Sequence, residues 1–201
     1  QGKDWFNSEA QNILRLSSKS HWDVPVMVNG ETVHILASHP TPPVFDGPED
    51  RNGKRNHDEI RFWNDYISAG QQADYIYDDV GSKGGLVAKH LVVLGDLNAS
   101  VVEGDGITSG IGNLLANKRI HADYVPTSPA GVLHSSENPH AASHTAEWRM
   151  RADYVLPSEN LQVLGGGIFW PKPDDPQFYL VKDRNASSDH RMVWLDVVLE
   201  N

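Results

Sequence analysis

No cysteine occurs among the 201 residues. That single absence removes disulfides, thiolate zinc sites and a cysteine nucleophile together, and leaves histidines and carboxylates as the ligands for any metal. Positive charge is scarce as well: 17 Lys+Arg stand against 27 Asp+Glu, a formal net charge of −10. No basic field is therefore available to hold a polyanion by counterion release. Phosphate chemistry stays compatible with this composition if bound divalent cations dominate the local electrostatics. No apolar run approaches membrane-spanning length. The opening Gln1-Gly2-Lys3-Asp4-Trp5 lacks the charged-then-apolar pattern of a secretion signal; a secreted or periplasmic location is compatible with such a signal lying in an earlier segment. Compartment and oligomeric state are left open.

Local patterns favour strands. Asp23 to Val28 and Glu31 to Leu36 are β-prone runs joined by Asn29-Gly30, the pair best suited to a type I′ turn, so a hairpin is expected. Pro25 places the first run at a sheet edge or strand start. From Pro40 to Gly53 the chain is rich in Pro, Gly and Asp and reads as a long loop. The N-cap and N3 spacing of Asn56 and Glu59 predicts a helix start near Asn56, with Ile60, Trp63 and Ile67 on one face and Gly70 as its stop. His90 to Gly95 is continuously apolar, as in strands covered on both faces, and delivers Asp96 to a strand end. Ile111, Leu114 and Leu115 suggest a further helix. Residues 122 to 149 read as a long loop, and Arg151 to Leu156, Leu161 to Trp170 and Met192 to Leu199 as three more strands. In the last, Val193, Leu195, Val197 and Leu199 alternate as a buried face requires. The fold class expected is α/β: sheets packed on each other and covered by helices.

Four polar clusters stand at strand ends or in adjoining loops: His39, Asp96 with Asn98, Asp153, and Asp189-His190. Period-two geometry would set Asp96 and Asn98 on one side and Leu97 on the other, an ionised acceptor beside a neutral donor; a plain turn after a buried strand is the alternative. Asp153 lies in a strand-like run, where an unpaired carboxylate would be costly. A histidine partner would fix an imidazole tautomer, whereas Arg149 or Arg151 would make an ordinary ion pair. His121, His134, His140 and His144 lack a metal-binding spacing and are expected to be solvated. Asp96 to Val101 fails as a calcium loop because Val101 stands where the turn needs glycine. Arg51, Lys54 and Arg55 are candidates for contact with phosphates, against a solvated-loop reading, and Phe169-Trp170 is the one aromatic pair that would suit a lipid surface if it were exposed rather than core.

Leu16-Ser-Ser-Lys-Ser20, Ser38-His39-Pro40, Gly95-Asp-Leu-Asn98, Arg151-Ala-Asp-Tyr-Val155 and Ser188-Asp-His190 follow the order and approximate spacing of the later motifs of the endonuclease/exonuclease/phosphatase superfamily. The chain resembles that superfamily from Leu16 to Leu199. The resemblance implies a four-layer α/β/β/α sandwich of the deoxyribonuclease type and a nuclease- or phosphatase-type hydrolase of phosphate esters that uses Mg2+ or Mn2+. It implies Asp189 as a metal ligand, and Asp96 as orienter of the attacking water or contributor to a second metal position. Asn98 would bind the phosphate, His190 would act as base or transition-state stabiliser with Asp153 on its other nitrogen, and His39 would donate toward the phosphate or leaving oxygen. The implied substrate is a phosphate ester, nucleic acid or a small phosphoester. The family's early Asn and Glu strands have no counterpart here: Asn7 and Glu9 do not sit at the end of a buried strand. Residues 1–201 are therefore expected to form one domain, incomplete on its amino-terminal side. A silent binding module that keeps the fold is the competing reading.

Overall fold

The structure, a computed structural model, describes residues 6–199; the expectation for Gln1 to Trp5 falls outside them. A short α1 (Ser8–Ile13), capped by the Asn7 side chain, leads into β1 (His21–Val28) and β2 (Glu31–Ser38). Asn29 and Gly30 take positive φ, 52° and 88°, as the predicted type I′ turn requires. β1 is the edge of a four-stranded sheet, which is why Pro25 is tolerated there. β2 runs parallel to β3 (His90–Asp96), and β3 antiparallel to β4 (Asp153–Pro157). A second, antiparallel sheet consists of β5 (Leu161–Phe169) and β6 (Met192–Leu199). Among the described residues no helix is long and apolar enough to cross a membrane.

Between β2 and β3 the chain crosses over through α2, which spans Arg51–Ser68 and so begins earlier than predicted. The two residues that resemble a capping pair serve tertiary contacts instead. Asn56, fully buried, donates from Nδ2 to the carbonyls of Thr41 (2.9 Å) and Leu97 (3.0 Å). The buried Glu59 carboxylate accepts from the backbone N–H of Ser18 (3.1 Å) and Thr41 (2.5 Å). α2 thus ties down the loop that follows His39. Its end is as predicted, with Ala69 and Gly70 both at positive φ. Arg51, Lys54 and Arg55 belong to this helix rather than to a loop, and Arg55 donates to the carbonyls of Leu16 and Arg15.

Period-two alternation sorts the strands into layers. Leu36, Leu91, Val93 and Leu156 face α2 and α3 (Thr108–Leu115), packing on Ile60, Trp63, Ile67, Ile111 and Leu114. Val33, Val92, Ile35, Leu94 and Val155 face the other way, toward Leu161 and Leu199 of the second sheet. Beyond that sheet, Ile168 and Trp170 pack with Ala130 of α4 (Pro129–His134). Helices therefore lie outside two apposed sheets, the mixed α/β arrangement expected. Trp170 is buried, so the Phe169-Trp170 pair offers no exposed aromatic patch.

Three expectations need correction. Residues 122–149 are not all loop: Ser128 caps α4, with Pro129 in its first turn, and Ala141–Ser143 adds a turn of 3-10 helix. His144 in this region is fully buried, with Nε2 3.0 Å from Glu103 Oε1, rather than solvated. The buried face predicted for β6 is realised only in part, since Val197 is exposed while Val193, Leu195 and Leu199 are half-buried. Among the described residues β5 and β6 make a two-stranded sheet, and two strands cannot cover all of a four-stranded one when neighbouring strands lie about 4.8 Å apart, so part of the wider sheet is left open. The same shortfall exposes Trp22, Val24, Val26 and Val28, the stripe of β1 on the side of Val33 and Ile35.

His90 opens β3 fully buried, and neither ring nitrogen has a hydrogen-bond partner. A buried polar group without a partner costs on the order of 1–3 kcal/mol, so His90→Leu is expected to stabilise the fold by about 1 kcal/mol in urea unfolding. A clear loss of stability would show the ring to be satisfied.

Candidate active site

The site grows from the point where β2 and β3 end side by side. Gly95 has φ +140°, and a Cβ there would lie 2.0 Å from the Ser38 carbonyl oxygen. Only glycine allows this approach of backbone to backbone. It brings the next residue of each strand together: His39 Nε2 lies 3.2 Å from Asp96 Oδ2. Asp96 is in turn paired in register with Asp153 on β4.

Asn98 joins Asp96 as expected, but by a different geometry. β3 stops at Asp96, and Asn98 adopts a left-handed conformation (φ 50°). Its backbone N–H donates to Asp96 Oδ1 (2.9 Å), and its Nδ2 donates to Asp96 Oδ2 (3.1 Å) and to the Pro40 carbonyl (3.2 Å). An Asx-type turn, not strand alternation, gathers the carboxylate and carboxamide, while Leu97 is buried in the helix-side core.

His190, just ahead of β6, completes the cluster. Its Nδ1 meets both Asp153 oxygens, Oδ2 at 2.9 Å and Oδ1 at 3.1 Å, and its Nε2 lies 3.6 Å from Asp96 Oδ2. Asp153 therefore has the histidine partner and not an arginine; Arg151 stacks its guanidinium over the Tyr154 ring at 4.3 Å. Asp189 stands apart from this group, its Oδ2 3.0 Å from Arg184 Nη2. His39, Asp96, Asn98, Asp153 and His190 thus converge. Asp96, Asp153 and His190 also border a cleft of about 590 Å³ that runs between the sheets past Leu94, Val155 and Phe169.

Burial is the main cause raising the Asp96 pKa, followed by the Asp153 charge, with His190 and His39 opposing it. The hydrogen bond that the His190 ring donates to Asp153 is the main cause raising the His190 pKa, with burial acting against it. A folded pKa above the unfolded value means that the charged imidazole adds stability fully present below about pH 6.5 and lost as pH rises through the higher folded value. The Tm difference between wild type and His190→Gln should accordingly be larger at pH 6 than at pH 8.5 by calorimetry. Equal differences would contradict the pairing.

Asp96, Asp153 and His190 each offer a ligand atom within 4.8 Å of the others. Two carboxylates and an imidazole suit a hard or borderline divalent cation such as Mg2+ or Mn2+. Sequence reasoning missed three neighbours. Thr145 donates to Asp153 Oδ2 at 2.7 Å. Trp148 meets the His190 ring edge-on at 4.6 Å. Arg191, buried, holds the carbonyls of Val181, Ser188 and His190. Thr145 and Trp148 lie in the stretch read as loop, and only the side chain's place beside His190 marks Arg191.

The chain matches the model of the Endonuclease/Exonuclease/phosphatase family over residues 8–190. No curated protein matches it. Among solved structures, an endonuclease/exonuclease/phosphatase from Beutenbergia cavernae DSM 12333 is 20% identical with a TM-score of 0.53, covering 88% of this chain and 38% of its own. A sphingomyelinase C from Streptomyces griseocarneus is 14% identical with a TM-score of 0.37, covering 87% of this chain and 52% of its own. The chain spans about half the length of these structures or less.

Proposed function

Because the chain belongs to the endonuclease/exonuclease/phosphatase family, we propose that its cleft hydrolyses phosphate esters, of nuclease or phosphatase type, by in-line attack of an activated water. The observation that carries this reading is the position of Asp96: one carboxylate oxygen lies within 3.6 Å of His190 and 3.2 Å of His39, while Asp153 holds the far nitrogen of His190. A group that orients water thus sits between two imidazoles.

The family is divalent-metal dependent in general. Asp153 and His190 are committed to each other, so Asp96 would hold the ion, joined by Asp189 once Asp189 exchanges Arg184 for the cation. When bound, the cation would neutralise charge on the phosphoryl group. The remaining work falls to the chain itself. Asp96 and His190 Nε2 aim the water, whose proton passes to Nε2 as its oxygen bonds to phosphorus. The imidazolium formed, bonded to Asp153, offsets the charge of the pentacovalent transition state. Asn98 orients the phosphate. His39, which meets the same Asp96 oxygen as His190, supplies a proton to the leaving oxygen as its bond to phosphorus breaks. No covalent intermediate is needed.

The same reading extends to the domain: residues 1–201 would be one domain, to which further strands bearing the family's Asn and Glu would add on the amino-terminal side. The exposed stripe of Trp22, Val24, Val26 and Val28 supports it, because an apolar face turned toward a narrower sheet is where further strands would pack. This chain should then bind metal more weakly and turn over more slowly than the full-length product. The test is a panel of nucleic acids, phosphodiesters and inositol phosphates, with the full-length product in Mg2+, Mn2+ or Ca2+. Turnover abolished by a chelator is expected for at least one substrate class. No turnover on any would favour the silent binding module.

A further inference from the structure

The structure assigns to Thr145 a positioning role: its hydroxyl fixes the hydrogen-bond state of the Asp153 carboxylate and, through it, the tautomer in which His190 faces the cleft. This inference rests on the reading of Asp153 and His190 as the working pair. Thr145 lies in the turn ahead of β4 and is 1% exposed, so no solvent competes for its hydroxyl.

The argument is a count of donors and acceptors. A threonine hydroxyl has one proton and two lone pairs. Both lone pairs are engaged, because Oγ1 accepts from the backbone N–H of Ala152 (2.9 Å) and of Asp153 (3.0 Å). The proton then has a single destination, Asp153 Oδ2 at 2.7 Å. Asp153 Oδ2 must receive it as an acceptor. That carboxylate also meets His190 Nδ1 at 2.9 Å and 3.1 Å, and two acceptors facing one ring nitrogen require the proton to sit on Nδ1. In the neutral ring the lone pair is then left on Nε2, the nitrogen near Asp96. The polarity of the chain from Thr145 to Nε2 follows from two backbone N–H groups.

The backbone of the same residue sets distance as well as polarity. The Thr145 carbonyl accepts from Arg191 N–H at 2.7 Å, and its N–H donates to the Met150 carbonyl at 3.0 Å. The next residue, Ala146, bridges to both Met150 and His190. Thr145 thus joins the segment bearing His190 to the start of the strand bearing Asp153, so hydroxyl and imidazole reach the carboxylate from two parts of one rigid assembly.

The experiment reads imidazole 15N and C–H correlations of His190 at a pH where the ring is neutral, in the unmutated chain and in Thr145→Ser and Thr145→Val. The unmutated chain and Thr145→Ser should show the Nδ1–H tautomer in large excess. In Thr145→Val the excess should fall by about fivefold, the weight of one lost hydrogen bond. A predominantly Nε2–H ring in the unmutated chain, a Val variant identical to wild type, or a Ser variant that behaves like Val would overturn the assignment. Should Thr145→Val fail to fold, Thr145→Ala takes its place, with the same fall expected and an unchanged tautomer ratio overturning the assignment. Because this signal needs no turnover, a chain with the Nδ1–H tautomer but no phosphoesterase activity would sink the functional reading and leave this one standing. With the active full-length product, Thr145→Val should lower kcat about tenfold at unchanged KM and Thr145→Ser should restore it.

Discussion

His190→Ala in the full-length product is expected to lower kcat for phosphoester hydrolysis by about a thousandfold, within the 10²–10⁴ typical of a positioned general acid or base. The size follows from the two jobs given to one ring. In the proposed mechanism Nε2 would take the proton of the attacking water, and the resulting imidazolium, 2.9 Å from Asp153, would face the developing negative charge. Alanine removes both at once. It also leaves Asp153 half-buried with only the Thr145 hydroxyl and no cationic partner. KM should move little if, as proposed, Asn98 and the cation hold the ground-state phosphate. Steady-state rates with a chromogenic phosphodiester check this, and a variant within a few-fold of wild type would remove His190 from the mechanism.

Gly95→Ala should be the most damaging single-methyl change near the site. The added Cβ would lie 2.0 Å from the Ser38 carbonyl oxygen, and φ +140° is a conformation that side chains rarely adopt. Neither neighbour can yield: Ser38 is a backbone group in β2, and its side chain accepts from Trp63 Nε1 at 2.7 Å inside the core. β2 and β3 would have to separate where His39 and Asp96 meet. A loss on the order of 3 kcal/mol or more is expected from a backbone clash added to a strained φ, together with loss of activity in whatever fraction folds. Urea unfolding of the two proteins measures it. A variant as stable as wild type would mean that the strands are not in this register.

These two residues also show what could be read in the sequence and what could not. The strand ending in Gly95-Asp96 was legible because its apolar run is continuous, and the hairpin because Asn29-Gly30 admits few other conformations. His39, Asp96, Asn98, Asp153 and His190 were legible as a motif series, although nothing local says that Asn98 reaches Asp96 through a left-handed turn. The start of α2 was misplaced because Asn56 and Glu59 carry cap-like spacing while serving loops far away in sequence. Thr145 was invisible for a related reason: its role is set by Asp153 and Arg191, distant residues that only the folded chain brings to it. The partial cover of β1 and β6 follows from the number of strands in each sheet, which the alternation within one strand does not encode.

The measurement that bears most directly on the account is isotope incorporation during turnover by the full-length product in 18O-enriched water. Attack of water on phosphorus predicts one solvent oxygen in each phosphate released, only with a divalent cation present, and almost none at equal times for His190→Ala. Label appearing in the alcohol product instead, or release of unlabelled phosphate at an undiminished rate in chelator, would contradict it.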